Sequence, residues 1–302
     1  MVGTESYPGE IDQYWKAVEK HPYVIGDFVW TGMDYLGESG CGHMRLDNEP
    51  SDFGRGWPWF NAFCGDLDIC GFKKPQSRFR DVVWGRSQLE MMVHRPLPPG
   101  RSEQTSRWGW PDELPDWTWP DAEGKLMQVV VYARADAVRL ELNGTEVATR
   151  KIAEADRFRA KFEVPYHPGE LRAVALVHGK VMAEKVLRTT GPAAKIRLLA
   201  DRATIRADRN DLSYVAVEVT DAAGNFLPDA ALAIRFSVSG AGELAALGSG
   251  SPNKPESFRG PRRTTWHGRA LAIVRSSGKP GAITLRAEAD GLQPAVIDIT
   301  IR

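Results

Sequence analysis

The sequence predicts a mixed, mainly β fold: the C-terminal βα units of a (β/α)8 barrel, followed by two immunoglobulin-like β-sandwich domains. Three observations predict it. The apolar run Phe28-Val29-Trp30 opens onto polar, glycine-rich sequence, as a buried parallel strand does at an active-site rim, and Gly3-Thr4-Glu5-Ser6 lies about one βα unit earlier. Beyond about residue 128 apolar and polar residues alternate with the period of two expected of half-buried strands. Asn143-Gly144 falls between two such alternating runs, a strong type I′ hairpin signal.

Taken in order, Gly3-Thr4-Glu5-Ser6 reads as a strand with Glu5 near its end. Residues 11–20, with Tyr14, Trp15 and Val18 at helical spacing, read as the crossover helix, stopped at His21-Pro22 because proline cannot continue it. Phe28-Val29-Trp30 is the next strand. Residues 38–61, rich in Gly and Pro with scattered charges, form a long loop of the kind that is usually functional. Residues 75–84 read as the closing barrel helix, and His94-Arg95-Pro96-Leu97-Pro98-Pro99-Gly100 ends this first region, 1–97.

A sandwich over 98–188 follows. Its strands are 128–133, 137–142, 146–148, 158–164 and 170–177. Thr189-Thr190-Gly191-Pro192 is a linker, and the alternating segments 214–219, 234–238, 271–275 and 283–289 make a second sandwich over 193–302. Asn143-Gly144-Thr145 also fits a glycosylation sequon, but the hairpin accounts for it. Nine of the ten tryptophans precede residue 120, a density suited to sugar handling and equally to packing between a barrel and its neighbour, so only Trp30 is singled out by position.

At these residues the chain resembles the C-terminal part of glycoside hydrolase family 2, the β-galactosidase group. Besides Gly3-Thr4-Glu5-Ser6 and Phe28-Val29-Trp30, the resemblance runs through Gly56-Trp57-Pro58-Trp59-Phe60-Asn61, Lys73-Lys74-Pro75-Gln76 and Trp108-Gly109-Trp110-Pro111-Asp112-Glu113. It continues to Ala207-Asp208-Arg209-Asn210-Asp211-Leu212-Ser213-Tyr214 and covers nearly the whole chain. It implies a retaining β-glycosidase, which needs two carboxyl groups roughly 5–5.5 Å apart. Glu5 is then the nucleophile, and Trp30, Phe28 and Asp34 are substrate contacts, with Trp30 a wall of the sugar pocket. Asp34 and Glu38 also read as acceptors that anchor the loop. The family's general acid follows an Asn in an Asn-Glu pair on an earlier strand, which would precede residue 1. Asn48-Glu49 lies in the loop after the last strand and cannot take its place. The implied chain is therefore the C-terminal portion of an enzyme, inactive alone, whose partners are the missing N-terminal part and a carbohydrate. β-Galactoside is favoured on overall similarity, ahead of β-glucuronide and β-mannoside. The competing reading is a non-catalytic carbohydrate-binding or spacer module.

Thirty-nine basic and 39 acidic residues, with no run of like charge, give no electrostatic footprint for nucleic acid or an anionic membrane. No apolar stretch approaches the roughly 20 residues that span a bilayer. The start lacks a basic-then-apolar leader, but a leader would be lost with any missing N-terminal sequence, so the compartment stays open between cytoplasm and periplasm or secretion. Cys41, Cys64 and Cys70 read as buried thiols instead of a disulfide framework. No spacing suggests zinc, no cofactor is implied, and His43 with Asp47 and Glu49 reads as a solvated loop. Two βα units cannot close a barrel sheet, so Val2, Val24, Ile25 and Phe28 should present an open apolar face prone to self-association.

Overall fold

The computed structural model describes residues 1–51 and 53–302, which form two compact units, Met1–Thr189 and Thr190–Arg302. The first unit opens with β1 (Gly3–Ser6), helix α1 (Ile11–Lys20) and β2 (Asp27–Val29). β1 and β2 pair in parallel, Gly3 opposite Asp27 and Ser6 opposite Val29, with α1 as the crossover. Helix α1 ends where expected, the His21 amide capping onto the Ala17 carbonyl one residue before Pro22. The chain then runs through loops that hold the two-residue strand β3 (Arg45–Leu46) and reaches α2 (Pro75–Val83), with proline at its first turn, where the missing amide hydrogen costs nothing.

Next come β4 (Leu89–His94), β5 (Glu103–Gln104), which pairs with β3, and β6 (Glu113–Leu114). Strands β7 (Leu126–Ala133), β8 (Ala137–Leu142), β9 (Thr145–Lys151), β10 (Arg159–Pro165), β11 (Glu170–Val177) and β12 (Lys180–Arg188) complete the unit. They form two antiparallel four-stranded sheets, ordered β10-β7-β4-β6 and β12-β11-β8-β9. A shared core that includes Met91, Val93, Trp117, Val129, Val131, Leu140, Phe162 and Leu171 lies between them. The β8–β9 hairpin turns at Asn143-Gly144, both with positive φ, as the sequence signal requires.

The boundary drawn near residue 97 is corrected by β4. This strand runs along β7, Leu89 opposite Ala133 through Val93 opposite Val129, so the sandwich already includes residue 89 and shares one unit with the βα segment. The reason it escapes a period-two reading is that both of its faces are covered. Met91 and Val93 point into the sandwich core, whereas Met92 packs with Phe79, Val82 and Val83 of α2. Even Glu90 is buried, its carboxylate held by Ser87 Oγ at 2.9 Å and Lys185 Nζ at 3.1 Å. A polypeptide beginning at residue 100 would therefore lack a strand from the middle of this sheet. Calorimetry of residues 100–302 is expected to show one cooperative transition, the same one seen for residues 190–302 alone. A second transition in the longer piece would show β4 to be dispensable.

The second unit contains β13 (Lys195–Ala200), β14 (Thr204–Ile205), β15 (Leu212–Thr220), β16 (Ala233–Gly240), β17 (Gly242–Gly248), β18 (Arg262–Thr264), β19 (Arg269–Ser276), β20 (Gly281–Glu288) and β21 (Ala295–Ile301). They build a four-stranded sheet β13-β15-β19-β17 and a five-stranded sheet β14-β21-β20-β16-β18. Val215, Val217, Val219, Ile234, Phe236, Leu285 and Ile299 belong to the core between them. The alternation read from sequence is kept: β19 buries every second residue, Ala270, Ala272 and Val274 among them.

Candidate active site

The parallel pairing of β1 and β2 brings three of the expected site residues together. Glu5 precedes Ser6, whose partner on β2 is Val29, and Phe28 and Trp30 flank Val29. The Trp30 amide bonds the Ser6 carbonyl at 3.0 Å, so the two strand ends stay in register as the chain leaves them. The Trp30-Thr31 peptide is cis. Glu5 and both rings are exposed, Phe28 at 67% and Trp30 at 40%, which places a carboxylate beside an accessible aromatic surface. Phe28 is the more open of the two rings.

Two further residues, which the sequence did not single out, surround Glu5. The Tyr7 phenol lies next to the Glu5 carboxylate, and this neighbour is the main reason its proton is held more tightly than usual. The Arg107 guanidinium lies 3.8 Å from the centroid of the Tyr7 ring, and Trp108 meets the same ring edge-on at 5.9 Å. Burial, then a 2.9 Å bond to Glu10, pushes the Tyr14 phenol up to about 12. Tyr7 had a visible signal, its place two residues after Glu5 on the rim of β1. Arg107 is a hundred residues away in sequence, so only folding reveals it.

Asp34 is a correction to the expected substrate contacts. It is 3% exposed, and its carboxylate accepts from the Gly65 amide at 2.7 Å and from Lys74 Nζ at 2.9 and 3.2 Å. Burial raises its pKa while Lys74 opposes the rise. This is the loop-anchoring role, in place of contact with sugar. Lys74 also donates to the Phe63 carbonyl at 2.6 Å and sits 3.5 Å from the Phe63 ring centroid. Gln76 reaches the Gly65 carbonyl at 2.6 Å, and Arg80 pairs with buried Asp66. The first turns of α2 thus clamp residues 63–66 onto the turn that follows Trp30, where the Thr31 and Gly32 carbonyls accept from the Asp66 and Leu67 amides. Gly65 must be glycine here, because a Cβ would stand 2.2 Å from the Asp34 nitrogen. Glu38 likewise anchors the loop as acceptor for the Tyr35 hydroxyl, and the Tyr35 ring meets Trp30 edge-on at 6.2 Å.

His43 is packed instead of solvated. It meets Trp59 edge-on at 4.6 Å and lies tilted against Phe63 at 5.2 Å, and burial lowers its pKa to about 4. Its two proposed companions are otherwise engaged, Glu49 with Arg55 and Asp47 with Arg101. Asn48-Glu49 is tied to β3, with Glu49 accepting from the Leu46 amide at 3.2 Å. Cys41 and Cys64 are buried, Cys70 is half-buried, and none is in a disulfide. Among the described residues no group of three His, Cys, Asp or Glu side chains is arranged to hold a metal, and no helix is long and apolar enough to cross a membrane.

Comparison with known proteins agrees with this architecture. Residues 196–298 match the family model for the glycoside hydrolase family 2 C-terminal domain 5, and residues 124–183 match a domain of unknown function. The β-galactosidase BoGH2A of Bacteroides ovatus is 31% identical over 285 residues, which is 94% of this chain but 29% of that protein. A family 2 glycosyl hydrolase from Bacteroides cellulosilyticus superposes with a TM-score of 0.90 at 36% identity, over 100% of this chain and 39% of the other. A β-glucuronidase of the same family shares the fold at a TM-score of 0.73 and 20% identity, over 97% of this chain and 27% of the other. The chain thus spans well under half the length of the relatives it matches. It belongs to glycoside hydrolase family 2 and corresponds to that family's C-terminal part.

Proposed function

We propose that the chain is the C-terminal portion of a retaining β-glycosidase in which Glu5 is the nucleophile. The observation that carries this reading is the placement of Glu5 and Trp30 at the C-terminal ends of adjacent parallel strands joined by a crossover helix, the face of a barrel where active sites are built. In this reading β1 and β2 are the last two strands of a (β/α)8 barrel, and the two sandwiches are immunoglobulin-like accessory domains. Glu5 attacks the anomeric carbon and forms a glycosyl-enzyme, and a second carboxyl group protonates the leaving oxygen and then activates water. Tyr7, next to Glu5, faces the carboxylate that attacks. Trp30 offers an apolar wall to the C–H face of the sugar.

The second carboxyl group comes from chain preceding residue 1, so residues 1–302 alone should not turn over substrate. Strands β1 and β2 have no further partners among the described residues, and Ile25 and Phe28 are 80% and 67% exposed. Without the rest of the barrel this surface should drive self-association. The test uses the isolated chain and the complete protein on aryl β-galactoside, β-glucuronide and β-mannoside. The expected result is no turnover by the chain, which elutes as an oligomer, and turnover by the complete protein, fastest on the galactoside. Turnover by the isolated chain that vanishes in Glu5→Gln would place the acid within residues 1–302, and a faster rate on another glycoside would reassign the sugar.

A further inference from the structure

A polar cavity lies on the outer face of the first sandwich and reaches the neighbourhood of the carboxylate rim at Arg107. It has a volume of about 430 Å³, in the range of small-molecule clefts, and Arg107, Arg157, Arg159 and Lys161 line it. A neighbouring depression of about 720 Å³ shares Arg157, Arg159 and Lys161 and adds Arg150 and Lys151, so the two form one continuous groove. In a chain with equal numbers of acidic and basic residues, six cations on one groove are a concentration of charge.

Most of these cations lack a counter-ion. Arg157 is satisfied, gripping Asp12 through Nε at 2.8 and 2.9 Å and the Gly9 carbonyl through Nη2 at 2.7 Å. The others differ. Among the described residues no carboxylate lies within ion-pair distance of Arg107, Arg150, Lys151, Arg159 or Lys161. Arg159 is the telling case. Its guanidinium stacks 3.8 Å from the Phe79 ring centroid and makes one hydrogen bond, Nη1 to the Arg157 carbonyl at 3.3 Å. A flat, stacked guanidinium with unused donors at its edge is suited to a planar or tetrahedral oxyanion. The acids of the groove are spoken for: buried Glu113 accepts from Trp110 and Tyr132, Glu10 from Tyr14, and Asp156 from the Ala153 amide.

We propose that this groove binds acidic saccharide chains through carboxylate or sulfate groups on the sugars, with Arg159 and Lys161 as the central contacts. The choice of a saccharide rests on the glycosidase reading and on continuity, since the groove begins at Arg107, which lies over the ring of Tyr7, a close neighbour of Glu5. Nucleic acid is disfavoured because single strands are held by bases stacked on accessible rings, whereas Phe79, Trp110 and Tyr132 are buried here.

Calorimetric titration of residues 1–302 tests this with an oligogalacturonate, a sulfated dextran oligosaccharide, a neutral dextran oligosaccharide and a single-stranded oligonucleotide. At least one acidic saccharide should bind, more weakly as salt rises from about 50 to 200 mM, and the neutral one should not. The better acidic ligand identifies the oxyanion. Arg159→Ala should weaken binding about tenfold or more, the scale of lost charged hydrogen bonds. Lys161→Glu, an exposed change on β10, should do the same with an unaltered melting temperature. The proposal fails if neither acidic saccharide binds, if the neutral one binds equally, if Lys161→Glu is without effect, or if the oligonucleotide binds best. A failure at Glu5 with intact groove binding strikes the catalytic reading alone.

Discussion

In the complete enzyme Glu5→Gln is expected to lower turnover by at least about 10⁴-fold, the scale of removing a covalent nucleophile. Glutamine is nearly isosteric and sits on an exposed strand end, so the fold should be unaffected. What is lost is the negative charge that attacks the anomeric carbon. Labelling with a 2-fluoro sugar should trap the glycosyl-enzyme, and mass spectrometry should find it on the peptide containing Glu5. A label on a peptide without Glu5 would refute the assignment, whatever the rate of the variant.

Lys74→Met should have the largest effect on stability, a loss of about 3–5 kcal/mol, because it leaves the buried Asp34 carboxylate without its cation. The same lysine bonds the Phe63 carbonyl, so the clamp on the turn after Trp30 loosens with it. The sign of the pH dependence follows from Asp34. Burial already raises its pKa, and removing Lys74 raises it further, so the folded variant takes up a proton that the unfolded chain does not. The variant should therefore be weakest at high pH and regain stability as pH falls through the folded-state pKa of Asp34. Adding Asp34→Asn should recover part of the loss, since no unpaired charge remains. Thermal melts of the three proteins across pH check this. A double variant no more stable than Lys74→Met would mean that Lys74 acts by packing and not by pairing.

Local chemistry made much of the fold legible. Asn143-Gly144 supplies two positive-φ residues and therefore a hairpin, and strands with one wet face, such as β10 and β19, show their period of two directly. β4 hid for the opposite reason, because a strand covered on both sides has no polar face to alternate with. At the site, the order strand, helix, strand was enough to set Glu5 beside Phe28 and Trp30. It was not enough to separate Asp34 from them, since sequence proximity to a pocket does not say whether a carboxylate faces solvent or a lysine forty residues on.

By itself, then, the sequence determined the β1–α1–β2 unit, the Asn143-Gly144 hairpin, the strands with one wet face and the family, because these depend on residues near one another in the chain. Tertiary structure alone decided which charges meet. Asp34 with Lys74, Tyr7 with Arg107, and Arg159 left without a carboxylate are outcomes of packing between distant segments. The physical reason is that a charge or a cation–π contact acts over a few ångströms in space and carries no periodicity along the chain.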